Sequence, residues 1–178
     1  MADIAKQTEE NVIWFLILFV GRQVDRLNLG MKNISPPSDV TRAPRPVTDY
    51  KHWKASEFRS WLQHYSLPLL DGVLPNKYLR HWSLLTESLF LLLTDHISHG
   101  DVRRAERLIH KFVQNVERLY GIANCRYNIH ILLHLPDAVK DWGPLWTTST
   151  FLYEGFNQKI LGMFRGTNLV SFFLPFQL

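Results

Sequence analysis

The longest regular alternation of apolar and polar positions lies between residues 98 and 121, "SHGDVRRAERLIHKFVQNVERLYG". Val102, Ala105, Leu108, Ile109, Phe112, Val113, Val116, Leu119 and Tyr120 recur at three- and four-residue steps, which wind onto one helical face. Ser98 or Asp101 can cap the start, and Gly121 stands where a left-handed C-terminal residue is wanted. The stretch 74–96 predicts a second helix, with Pro75 at its first position and a stripe of Leu79, Trp82, Leu85, Leu89 and Leu92. Further apolar residues around that stripe (Tyr78, Leu84, Phe90, Leu91, Leu93) place this helix at the centre of the fold.

Upstream, "KASEFRSWLQHY" (54–65) predicts a short amphipathic helix ending near Pro68. Downstream, 125–142 reads as a helix interrupted by Pro136 and stopped by Gly143 and Pro144, and 149–165 as a last helix. No period-two run of any length occurs, so the fold class is mainly α.

Residues 33–48 carry four prolines among Ser, Thr and Asp. Proline removes backbone donors and disfavours helix at the residue before it, so 33–52 reads as an extended connector. It divides an N-terminal packing segment (1–32) from a helical domain (53–167), which an apolar tail (168–178) follows. The apolar run "VIWFLILFV" (12–20) has nine residues, against about 20 for a membrane-spanning helix, and reads as a buried strand or helix start. "MADIAKQTEENV" before it lacks a compact basic region. The expectation is a chain neither secreted nor transmembrane, in the nucleus or cytoplasm.

At 178 residues and 46% hydrophobic composition the chain can bury one core and is not disordered by composition. Its single cysteine, Cys125, excludes an internal disulfide and a multi-cysteine zinc cluster. The net charge of +4 is compatible with nucleic acid without requiring it. Within 98–121 the outward face carries Arg103, Arg104, Arg107, Lys111 and Arg118, a stripe that could lie along phosphates. The same face interleaved with Glu106 and Glu117 also reads as a solvated surface.

His130 and His134, four apart, project from the same side of a helix and could share a metal such as zinc. The metalloprotease spacing requires Glu after the first His, and Ile131 stands there. Cys125 falls on a different face, so the pair is half a site, and hydrogen-bonded core histidines remain the other reading. Glu154 stands among Phe151, Leu152, Tyr153 and Phe156. A carboxylate in such company needs a partner or a cation, unless it faces solvent. No nucleophile elbow, phosphate-binding glycine loop or kinase signature occurs.

Four blocks, "VDRLNLGMKNISPPSDVTRAPRPV", "HWKASEFRSWLQHYSLPLLDGVLPNKYLRHW", "NIHILLHLPDAVKDWGPLW" and "FLYEGFNQKILGMFRGT", resemble in content and order the C-terminal part of CACTA-type (En/Spm-like) DDE transposases, including their domain-of-unknown-function segment. The similarity runs over about residues 21–167. It implies an RNase H-like core in which three acids hold two Mg2+ or Mn2+ ions for DNA strand cleavage and transfer. A helical insertion separates the second and third acids. The resemblance assigns Glu154 as the third, vestigial acid. His130 and His134 become the histidine pair that precedes it, bracing the insertion through a shared structural Zn2+ or directly.

The family's Asp-x-Met-His block has no counterpart in "MADIAKQTEENVIWFLILFV", and Asp25 belongs to the following segment. One carboxylate cannot build a two-metal site. The expected chain is therefore a helical insertion plus the last catalytic helix, truncated, lacking most of the sheet, with no metal bound and inactive alone. Three functions follow from that reading. The chain is a transposase remnant prone to self-associate; or a domesticated DNA-binding or protein-interaction module using 98–121 and the basic connector (Arg42, Arg45, Lys51, Lys54); or a nuclease completed by a partner carrying the missing acids.

Overall fold

The computed structural model describes residues 23–36, 38, 40 and 42–148. Among these residues every regular element is a helix or helical turn, and no helix is long and apolar enough to cross a membrane. The apolar run 12–20, the last expected helix 149–165 and the tail 168–178 lie outside the described residues.

Helix α1 (Val24–Lys32) turns Leu27 and Met31, four residues apart, into the core. A 3-10 turn (Val47–His52) follows and buries Val47 and Tyr50. Helix α2 (Ala55–Ser60), a π turn (Trp61–Tyr65) and helix α3 (Ser66–Leu70) then run on without a break. The expected stop near Pro68 does not occur, because the chain widens into the π turn just before it. In an α-helix the Pro68 ring would clash with the carbonyl of His64, and the wider turn relieves that clash. Gly30 of α1 lies close against α3, where an added Cβ would run into the Leu69 Cδ2 methyl.

Two long helices form the centre: α4 (Asn76–Leu93) and α5 (His99–Tyr120). Pro75 occupies the position just before α4 rather than its first residue. The pair is antiparallel, since His81 near the start of α4 meets Phe112 and Tyr120 near the end of α5. Trp82, Leu85 and Leu92 of α4 and Ala105, Ile109 and Phe112 of α5 are buried in one core. Leu27, Val47, Trp53, Phe58 and Trp61 belong to that same core. Each of the leucine, isoleucine, valine and phenylalanine side chains contributes about 1.5–3 kcal/mol on leaving water.

The start of α5 is fixed as its sequence suggested. Ser98 Oγ accepts from the Asp101 N–H at 3.1 Å, and the Asp101 carboxylate accepts from the Ser98 N–H at 3.0 Å. Gly121, at φ +84°, ends the helix in a conformation open to glycine. Beyond it the single helix expected over 125–142 is three pieces. They are α6 (Tyr127–His130), a 3-10 turn (Ile131–His134) and α7 (Leu135–Trp142). Pro136 sits in the first turn of α7, where its missing N–H is harmless. Val139 of α7 and Leu132 pack into the core, and Gly143 at φ +80° stops α7.

Candidate nucleic-acid interface

The five cations expected to face outward from 98–121 are all exposed on α5, but they are not equivalent. Arg104 is held by Glu87 of α4. Arg118 donates to Asn115 Oδ1 at 2.6 Å and so lies along its own helix. Arg103, Arg107 and Lys111 form no side-chain hydrogen bond or ion pair among the described residues. They repeat every four residues, so one row spans about 12 Å. His110 and Gln114 line the same shallow groove, as does Glu106. Glu106, the one acid in that lining, lies 3.7 Å from Lys140 of α7, whose ammonium is closer to Asp137, at 2.9 Å. Lys140 is held charged above the usual lysine range by its hydrogen bond to Asp137. The helix spacing visible in the sequence placed the row. The acids that sort its members, Glu87 and the Glu106–Lys140 link, come from packing between helices.

The basic connector divides in the same way. Arg45 Nε and Nη2 donate to the two Glu57 carboxylate oxygens at 2.6 and 2.8 Å, and Nη1 donates to Asp49 at 2.9 Å. Burial pushes the Glu57 carboxyl up, but Arg45 and the Lys54 N–H outweigh it and hold the group below the usual carboxylate range. Arg45 is therefore a clamp joining the connector to α2, with no free donor face for phosphate. Arg42, Lys51 and Lys54 are exposed.

His130 and His134 are exposed too, with ring centroids 5.2 Å apart in an edge-to-face arrangement. The reading of the pair as core histidines is thereby corrected: α6 packs through Ile129, while both imidazoles face outward. Cys125 is exposed, and among the described residues no three His, Cys, Asp or Glu side chains converge to hold a metal ion. Glu154, the expected acid, lies outside the described residues.

One histidine that the sequence did not single out, His81, is in the core. It is buried, donates from Nε2 to the Phe112 carbonyl at 2.8 Å and accepts at Nδ1 from the Tyr120 hydroxyl at 2.8 Å. Its ring stacks on Phe112 with centroids 4.3 Å apart. Burial holds its pKa below the ordinary value, with the nearby Arg118 charge adding to the effect and the Phe112 hydrogen bond opposing it. This is a neutral, fully used imidazole in a structural seam.

No family model, curated protein or solved structure matches the chain.

Proposed function

We propose that the chain is a transposase-derived helical module that binds the phosphate backbone of duplex DNA along α5 and does not cleave it unaided. The observation carrying the binding half is the row Arg103, Arg107 and Lys111, exposed and without acidic partners. A helix offering evenly spaced guanidinium and ammonium groups suits phosphates and reads no base sequence. The transposase half rests on the four sequence blocks, and the RNase H-like origin of the helices belongs with it. The lack of unaided cleavage rests on the content of "MADIAKQTEENVIWFLILFV", which holds no Asp-x-Met-His block beside the segments that resemble the family.

The test is duplex affinity measured across salt concentration. Three phosphate contacts give a log–log slope of about −3. The variant R103Q/R107Q/K111Q, changed only at exposed positions, should lose most of that slope while keeping its thermal midpoint. Equal affinity and slope in both proteins would sink the interface. In parallel, plasmid cleavage with Mg2+ or Mn2+ that E154Q abolishes would overturn the non-catalytic half.

A further inference from the structure

A cleft of about 400 Å3 lies between the connector, α2 with its π turn, and the end of α4. Its size suits one small ligand. The walls carry two guanidinium groups that the fold leaves available. Arg42 makes no hydrogen bond or ion pair among the described residues. Arg59 spends only Nε, on Gln63 at 3.0 Å. His64, exposed, stands beside Arg59 and Gln63 in the same lining. The acid in the lining, Glu57, is already neutralised by Arg45, so the cleft carries a net positive charge.

Its apolar lining mixes aliphatic side chains, among them Met31, Val40 and Leu93, with aromatic rings. Phe90, 50% exposed, offers a ring to solvent at the end of α4, and Trp53 is buried in the lining. The Trp53 indole N–H is buried and has no acceptor among the described residues. Aromatic faces beside unpaired guanidinium groups suit a flat heteroaromatic ring joined to a phosphate. The π turn that shapes one wall is the irregularity that commonly accompanies a ligand site in a helix.

We propose that this cleft binds a nucleoside monophosphate unit, its base against Phe90 and its phosphate between Arg42 and Arg59. The unit is either a free mononucleotide or the unpaired terminal nucleotide of a DNA strand. The site is separate from the α5 row and does not depend on it.

The test is titration of the whole chain with dAMP, followed by the indole N–H resonances of its tryptophans. Saturable binding below about 1 mM is expected, with the Trp53 resonance moving. R42Q/R59Q and F90A should each weaken binding at least about tenfold, whereas R103Q/R107Q/K111Q should leave it unchanged. Retained dispersion of the amide spectrum shows that each variant is folded. A duplex with a one-nucleotide overhang that binds more tightly than a blunt duplex, in the α5-neutralised protein, assigns the strand end. Equal binding of the two assigns the free nucleotide. No movement of the Trp53 resonance, or dAMP affinity unchanged in R42Q/R59Q and F90A, overturns the proposal, even where duplex binding along α5 persists.

Discussion

His81 and the pair His130–His134 place the same side chain in two opposite surroundings. The first is 3% exposed, with both ring nitrogens hydrogen-bonded and a phenyl ring stacked on its face. The other two are exposed, with ring centroids 5.2 Å apart. Imidazole is useful to chemistry only while a nitrogen is free to take a proton or a metal. By that criterion the buried residue is structural and the exposed ones keep their chemistry, although spacing drew attention to the exposed pair alone.

The sharpest way to break the contrast is to delete each ring. His81→Ala removes a packed ring and two hydrogen bonds between α4 and α5, and should cost about 2–4 kcal/mol in urea unfolding. A loss below about 0.5 kcal/mol would mean that the seam is dispensable.

A smaller effect follows from protonation. Burial lowers the folded-state pKa of His81 below the ordinary value, so the unfolded chain binds the proton more readily. The contribution is therefore complete above about pH 6.5 and is lost as pH falls through the lower folded value. Unfolding midpoints measured downward from neutral pH should drop over that window in the natural protein, and less in His81→Ala. An identical profile in the two proteins would assign the titration to other groups.

The smallest effect belongs to the exposed pair. His130→Ala with His134→Ala should change stability by no more than about 0.5 kcal/mol. Zn2+ sharpens this arm of the comparison. A midpoint raised by the metal in the natural protein but not in the double variant would make the pair a ligand site after all.

What the sequence disclosed divides along the same line. The amphipathic pattern of 98–121 and its terminal residues needed only local spacing, and α5 runs from His99 to Tyr120 with the expected face buried. The central place of α4 was legible from its leucines for the same reason. His81 was not, because its partners lie 31 and 39 residues away and local periodicity carries no information about them. The continuation through Pro68 was hidden because it depends on a change of helical pitch, which no residue type announces. Arg45 reads as a phosphate contact because its charge is visible in the sequence, while its claim on Glu57 is a matter of three-dimensional approach. At the candidate interface, the row of cations could be read from spacing, but the withdrawal of Arg104 by Glu87 could not.

The α4–α5 hairpin also implies an order of events during folding. Its tip joins Leu93 to His99 through five residues, 94 to 98, whereas the His81–Tyr120 bond at its mouth closes 39. Loop closure costs about 0.6 kcal/mol more for each doubling of length, so starting at the mouth is dearer by about 2 kcal/mol. The two helices should therefore zip from the tip, and the imidazole should dock late, acting as a latch that slows opening more than it speeds closing.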